Sequence, residues 1–235
     1  MRRLTLAAAL AAVALLGGMR PAAAQADVAL VLAVDVSASV TDARFALQRE
    51  GIARALDSDA LAEALAAGPH QTIEIAVVEW AEKQTLVLPW TVVRRRSDLT
   101  DIALKLRRAP RVWVDTRTDP GGGIAAADAL FASAPLQPDR KVIDVSGDGQ
   151  QNAGEATTAA MRDAAVGHHV TINGLPITSG DEPHVDQWYR DNVIGGDDAF
   201  LVVADGFAAF ASAFEQKLTR EVAGAEVPRR LASLR

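Results

Sequence analysis

The sequence predicts a doubly wound α/β fold, in which helices cover both faces of a mostly parallel sheet. Strand-like segments alternate with helix-like segments along the chain, and the interiors of the strands are almost entirely apolar. Strands that are buried on both faces are typical of parallel sheets with helices on each side. No internal repeat, low-complexity block or Pro/Gly-rich linker divides the chain, so we expect a single domain.

The first predicted strand carries the feature around which the rest of the chain is arranged. Residues 28–40 read VALVLAVDVSASV, an apolar run that leads to Asp35 and then to Ser37 and Ser39. In an extended backbone, side chains at alternate positions point to the same side. One carboxylate and two hydroxyls would then project together, and such oxygen donors suit Mg²⁺ or Mn²⁺ better than a thiophilic metal. In the alternative interpretation, the serines only begin the turn into a helix that Asp35 caps.

The first 24 residues have the pattern of a secretory signal peptide. Arg2 and Arg3 precede an apolar core over residues 4–16, and small residues at Ala22 and Ala24 mark a cleavage site. The apolar core is shorter than the roughly 20 residues that span a bilayer, and no later segment approaches that length. We therefore expect a periplasmic or secreted protein without a membrane span.

Composition argues against several classes of partner and site. The formal net charge is −6, and loss of the first 24 residues removes three arginines and no acid, which leaves −9. An acidic chain is a poor candidate for binding nucleic acid or anionic lipid. The chain has no cysteine, so it forms no disulfide. The four histidines lack the spacing of a zinc site, and we expect them to be solvated or locally bonded.

Helices and strands follow one another in order after the first strand. Helical spacing predicts helices at residues 41–56, 98–106, 124–131, 154–166 and 207–222. Further strands are predicted at residues 73–80, 84–93, 141–146, 169–175 and 200–204. Pro89 favours an edge position for the strand 84–93, and a hairpin would make it antiparallel to its predecessor. Residues 176–198 are expected to be mostly loop, with a short turn at 185–190 and with Trp188 and Tyr189 as packing residues.

A second acidic strand end strengthens the metal interpretation. The strand 141–146 runs into Asp148, which lies between two glycines. In doubly wound sheets, ligands bind beyond the carboxyl ends of the strands, where the strand order reverses. Asp35 and Asp148 both occupy such positions, so we expect them to meet at one site. Glu79 also lies near a strand end, either as a supporting residue of this site or as a solvated edge carboxylate.

These residues resemble a von Willebrand factor A-type domain with its metal-ion-dependent adhesion site. Asp35, Ser37 and Ser39 match the D-x-S-x-S motif of that site. Thr118, before a glycine-rich helix start, is similar to the threonine loop, and Asp148 is similar to the aspartate after the fourth strand. Several shorter segments resemble a bacterial exported branch of that superfamily.

The resemblance covers residues 26–223 and leaves residues 224–235 as a tail. It implies a six-stranded sheet in the order 3-2-1-4-5-6 with one antiparallel edge strand. It also implies that an open position of the bound ion captures an Asp or Glu carboxylate from a partner protein. The implied ligands of Mg²⁺, or of Mn²⁺ or Ca²⁺, are Asp35, Ser37, Ser39, Thr118 and Asp148. Thr116 lies close enough in sequence to compete with Thr118 for the loop position.

An enzyme is the other functional class that the sequence pattern is compatible with. An aspartate at a strand end, with a later Gly-Asp-Gly, is similar to the aspartate-nucleophile phosphatases, which also use Mg²⁺. Those enzymes need a second carboxylate two residues after the nucleophile as general acid, and here that position is Ser37. The sequence contains neither a nucleophile elbow nor a phosphate-binding P-loop motif. We therefore predict a metal-dependent protein-binding module that is not an enzyme.

Overall fold

Six strands form the central sheet in the computed structural model, which describes residues 24–114, 116–180 and 182–224. The strands are β1 Val28–Asp35, β2 Ile73–Trp80, β3 Gln84–Val93, β4 Lys141–Gly147, β5 Val170–Thr178 and β6 Ala204–Asp205. Their spatial order is β3-β2-β1-β4-β5-β6; β2 and β3 pair antiparallel and the other neighbours pair parallel. The predicted α/β class, strand order and antiparallel edge strand are confirmed. The predicted signal peptide and tail fall almost entirely outside the described residues.

Within the described ranges, seven α-helices cover the two faces of this sheet. They are α1 Asp42–Leu56, α2 Asp59–Ala67, α3 Arg96–Arg108, α4 Pro120–Leu130, α5 Thr158–Gly167, α6 Val185–Asn192 and α7 Phe210–Ala223. Helices α1, α2, α3 and α7 enclose one apolar core with the sheet, and α4, α5 and α6 enclose a second. None of the described helices combines the length and apolarity that crossing a bilayer requires.

Successive side chains of β1 alternate between the two cores. Leu32 and Val34 belong to the first core, whereas Val31 and Ala33 belong to the second. Because alternate residues of a strand share a face, Asp35 points to the same side as Val31 and Ala33. That side of the sheet is the second core, to which α4 and α6 contribute. The complete burial of β1 on both faces explains its unbroken apolar run.

Helices α2 and α6 are the elements that the sequence interpretation missed or understated. Residues 59–67 contain mostly strong helix formers, and Ser58 caps them by accepting the N–H of Leu61 at 3.2 Å. Leu61 and Leu65 are buried one turn apart. The signals for α2 were therefore local and present. Helix α6 occupies the middle of the segment that was predicted to be mostly loop.

Helix α4 begins four residues earlier than predicted, because its first turn contains glycines that allow close packing against the sheet. Asp119 caps the helix by accepting the N–H of Gly122 at 3.0 Å. A Cβ atom on Gly123 would lie 2.7 Å from the Trp80 ring. The glycine run therefore lets the first turn of α4 approach the end of β2, and the helix starts at Pro120.

Helix α5 and strand β6 also differ from their predicted bounds. The helix predicted from residue 154 begins four residues later, since Gly154 has a φ of +89°, which a right-handed helix cannot contain. The strand predicted at 200–204 pairs with β5 at Leu201 and again at β6, with an interruption between them. The Asn173 side chain takes the N–H of Phe200 at 3.0 Å, so a side-chain contact replaces a ladder hydrogen bond there.

A buried ion cluster joins α7 to the sheet. Lys217 Nζ lies 2.6 Å from Asp144 Oδ1 on β4 and 2.6 Å from Glu221 Oε1, four residues further along α7. Asn173 on β5 donates to the same Glu221 oxygen at 2.9 Å. All four side chains are at most 2% exposed. Burial, followed by the neighbouring Asp144 carboxylate, raises the pKa of Glu221 to about 8.

We expect this carboxyl group to make the protein less stable as pH rises from about 4.5 to about 8. In that window Glu221 keeps its proton in the folded state, whereas an unfolded chain releases it near its ordinary pKa of 4.5. The folded state then binds more protons, so the free energy of unfolding falls with rising pH. Lys217, Asp144 and the Arg140 guanidinium are the charged groups that face it.

Urea unfolding at several pH values within that window measures this dependence. Glu221→Gln should flatten part of the slope, because its side chain cannot ionise. Glu63→Gln, a change on the exposed face of α2, should leave the slope as it is. A Glu221→Gln slope equal to that of the unsubstituted protein would show that Glu221 does not titrate differently on folding.

Candidate metal centre

The chain turns immediately after β1 ends at Asp35. Asp35 Oδ1 accepts the backbone N–H of Ser37 at 2.8 Å, and Val40 N–H reaches the Ser37 carbonyl at 3.0 Å. An aspartate that bonds the backbone two residues on competes with continuation of the strand. The expectation of an extended backbone through the serines is therefore wrong. The turn nevertheless brings their hydroxyls together, since Ser37 Oγ and Ser39 Oγ lie 3.3 Å apart.

The end of β4 lies against this serine turn, which we define as residues 36–40. Ser39 donates its hydroxyl to Asp148 Oδ1 at 2.5 Å. Arg44, in the first turn of α1, lies 3.2 Å from Asp148 Oδ2 and donates to the Ser39 carbonyl at 2.8 Å. Asp35 and Asp148 are 0% and 2% exposed. The two strand-end carboxylates are therefore buried on either side of one turn.

Two threonines border the same region from the loop before α4. Thr118 donates its N–H to Asn152 Oδ1 at 2.8 Å. Its hydroxyl lies 3.8 Å from the position that a Cβ atom on Gly149 would take. The Thr116 carbonyl accepts the N–H of Ala38 at 2.9 Å, and its hydroxyl is buried without a hydrogen-bond partner among the described residues. Thr118 thus lies against the loop after β4, and Thr116 lies against the serine turn. The choice between them as a ligand stays a prediction.

The charge of the two carboxylates is only partly compensated. Burial, and then the neighbouring Asp148 carboxylate, raise the pKa of Asp35 to about 7. Burial also raises the pKa of Asp148, although the Ser39 hydroxyl and the Arg44 guanidinium oppose that rise. Asp35 Oδ2 has no hydrogen-bond partner in the part of the chain that the structure describes. An unpaired carboxylate oxygen near a second buried carboxylate fits a divalent cation, whose charge would stabilise both.

Arg111 is a supporting residue that the sequence interpretation did not identify. Its guanidinium donates to the Val40 carbonyl at 2.6 Å and to the Val36 carbonyl at 3.1 Å, and it pairs with Asp42. It therefore holds both ends of the serine turn from a loop that follows α3. Asn152 acts similarly on the threonine loop. No local motif marks either residue, because each is recognised only through a contact distant in sequence.

Glu79 and Tyr189 lie in places that the sequence left open. Glu79 is buried and forms an ion pair with Arg49 on α1, so its interpretation as a solvated edge carboxylate is wrong. It neighbours Val34 in the sheet and therefore faces the core opposite to Asp35. Tyr189 is completely buried in the second core, in agreement with its interpretation as a packing residue, but it belongs to helix α6.

A second group of potential ligands lies at the opposite end of β1. Ligand atoms of Asp27, His70 and Asp139 lie within 4.8 Å of one another. Asp27 accepts the backbone N–H groups of His70 at 2.8 Å and of Thr72 at 3.2 Å, and His70 Nε2 lies 3.0 Å from Asp139 Oδ2. The group could hold a cation. Its contacts are nonetheless accounted for by hydrogen bonds that close the turn before β2.

Comparison with known proteins identifies both a sequence family and a fold. Residues 25–226 match the family described as "Protein of unknown function (DUF1194)". No curated protein matches the chain in sequence. Among solved structures, proximal thread matrix protein 1 from the mussel byssus has a TM-score of 0.56 and 18% identity, over 85% of this chain and 46% of that protein. One structure of that mussel protein has a zinc-occupied MIDAS motif, the metal-ion-dependent adhesion site.

Two bacterial structures are similar over a comparable share of the chain. The pilus adhesin SpaC from Lactobacillus rhamnosus GG has a TM-score of 0.61 and 14% identity, over 84% of this chain and 31% of that one. The von Willebrand factor domain of the type V pili tip protein Mfa5 from Porphyromonas gingivalis has a TM-score of 0.55 and 13% identity, over 86% and 98%. The chain spans less than half the length of the mussel protein and of SpaC. These similarities confirm the von Willebrand factor A-type fold.

Proposed function

The chain belongs to the family described as "Protein of unknown function (DUF1194)", and we propose that it is an exported, metal-dependent protein-binding module. In this proposal the ion's open position takes an Asp or Glu carboxylate of a partner protein. The observation that carries it is the meeting of two buried carboxylates from separate strand ends, one with an unpaired oxygen. The ligands proposed for Mg²⁺, or for Mn²⁺ or Ca²⁺, are Asp35, Ser37, Ser39, Thr118 and Asp148.

The chemistry of these donors supports a small hard cation. Three hydroxyls and two carboxylates are oxygen ligands, and Mg²⁺ keeps several waters when the protein offers few charged groups. A divalent ion and the Arg44 guanidinium would together carry three positive charges against the two carboxylates of Asp35 and Asp148. The site would then remain positive overall. An anionic oxygen ligand from a partner, such as a carboxylate, therefore suits the remaining position.

The non-catalytic part of the proposal is supported by residue 37. A phosphatase that used Asp35 as nucleophile would need a carboxylic acid there, and a serine hydroxyl does not supply a comparable general acid. The backbone N–H of Ser37 instead donates a hydrogen bond to one carboxylate oxygen of Asp35. The pilus origin of SpaC and Mfa5 is consistent with an adhesion-type role, and the signal-peptide pattern supports export.

Affinity capture from periplasmic extract tests the proposal. A partner should bind the immobilised protein in Mg²⁺ and be released by a chelator. Asp35→Ala should lose the partner, whereas Asp101→Ala, which changes an exposed carboxylate on α3, should keep it. One particular Asp or Glu of the partner should also be required. A partner that remains bound in chelator and to Asp35→Ala would contradict metal-dependent capture.

A further inference from the structure

The hydroxyl of Tyr189 is a polar group placed in an apolar core. Its side chain is 0% exposed on α6, and its hydroxyl has no hydrogen bond to any described residue. A phenylalanine would fill the same volume without this cost, since a buried hydroxyl that makes no hydrogen bond destabilises the folded state. Packing alone therefore explains the ring of Tyr189 and leaves its hydroxyl unexplained.

A second unpaired atom faces the same space. A Cβ atom on Gly147 would lie 2.7 Å from the Tyr189 hydroxyl oxygen and 2.7 Å from Asp35 Oδ2. Asp35 Oδ2 accepts no hydrogen bond from the described residues, whereas Oδ1 accepts the Ser37 N–H. Both atoms thus border the space above Gly147, where a Cβ atom would lie too close to each of them. A hydroxyl donor and a carboxylate acceptor are complementary, so each can satisfy the other.

We propose that Tyr189 is a positioning residue of the metal centre. Its hydroxyl donates to Asp35 Oδ2 through one bridging water, since the structure shows no direct hydrogen bond between these two described side chains. This bond holds the carboxylate in one orientation toward the cation. Outer hydrogen-bond partners of this kind orient metal ligands, and their removal typically lowers metal affinity about 10- to 100-fold. The inference rests on the proposed metal-binding function.

The chain offers a direct probe, because Tyr189 is its single tyrosine. Protein labelled with ¹³C at the tyrosine Cζ gives one signal, whose shift reports the hydrogen bonding of this hydroxyl. We expect Mg²⁺ to move this signal, and Asp35→Asn to change its position in metal-free protein and abolish its response to Mg²⁺.

Mn²⁺ titration measures the consequence for binding. Tyr189→Phe keeps the buried ring and should weaken Mn²⁺ binding about 10- to 100-fold. Thr219→Val, which removes another buried unpaired hydroxyl on α7, should leave the affinity unchanged. Equal affinity in Tyr189→Phe, or weaker affinity while the labelled signal ignores both Mg²⁺ and Asp35→Asn, would overturn the positioning role and leave the metal site intact. Unsubstituted protein that fails to bind Mn²⁺ would overturn the proposed function together with this inference.

Discussion

Replacing Lys217 with methionine should lower the melting midpoint by roughly 6–20 °C. The change removes the only cation within 2.6 Å of Asp144 and Glu221 that the described residues contain, and it leaves two buried carboxyl groups facing each other. Removing one partner of a buried ion pair costs about 3–5 kcal/mol. For a domain of this size each kcal/mol corresponds to roughly 2–4 °C. Thermal unfolding followed by circular dichroism measures the difference.

Two controls separate the loss of charge compensation from other effects of Lys217→Met. Lys105→Met makes the same change on the exposed face of α3 and should alter the midpoint little. Adding Asp144→Asn and Glu221→Gln to Lys217→Met should recover much of the loss, because the uncompensated carboxyl groups are then gone. If Lys217→Met costs no more than Lys105→Met, the cluster does not anchor α7 to the sheet.

Saturating Mg²⁺ or Mn²⁺ should raise the melting midpoint of the unsubstituted protein by ~5–10 °C. An ion that binds only the folded state stabilises it by about 2.7 kcal/mol at a hundredfold excess over Kd, which corresponds to this range for a domain of this size. Asp35→Ala should abolish the rise, because it removes the buried carboxylate with the unpaired oxygen. The same change could stabilise metal-free protein, since Asp35 and Asp148 repel each other when no cation lies between them.

Substitutions of the hydroxyl residues distinguish the proposed ligands. Ser37→Ala and Thr118→Ala should reduce the metal-induced rise, whereas Thr116→Ala should leave it intact. A larger loss with Thr116→Ala would move the loop ligand by two residues, to the threonine whose hydroxyl is buried and unpaired. If none of these variants changes the response to metal, the proposed site does not exist.

The sheet could be predicted closely because its signals are local. The strands β2 and β3 have the bounds that the sequence predicts, and β1 ends at the expected aspartate. The strands β1 and β2 are buried along their whole length, so nearly every residue had to be apolar. The predicted bounds were wrong where the backbone conformation depends on residues that are distant in sequence. The glycines near Asp119 displace the starts of α4 and α5, and the pairing of residues 200–205 with β5 is interrupted between Leu201 and Ala204.

The candidate site divides in the same way. The approach of Asp35 to the loop of Asp148 follows from two strand ends and a strand order. The turn at Ser37 was one of two local alternatives, since a run of alternate oxygens is compatible with both a strand and a turn. The role of Arg111 could not be predicted from the sequence. Its guanidinium binds carbonyls that are distant in sequence, and the local sequence does not distinguish it from other charged loop residues.

By itself the sequence determined the α/β class and the strand ends that carry acidic residues, because these depend on the composition of short segments. The tertiary structure alone decided how the site is supported. It brought Tyr189 from α6 and Asp35 from β1 to the same space above Gly147, and Lys217 from α7 to Asp144 on β4. Such pairs are far apart in the chain, and no local pattern specifies a partner that only the packing of helices against a sheet supplies.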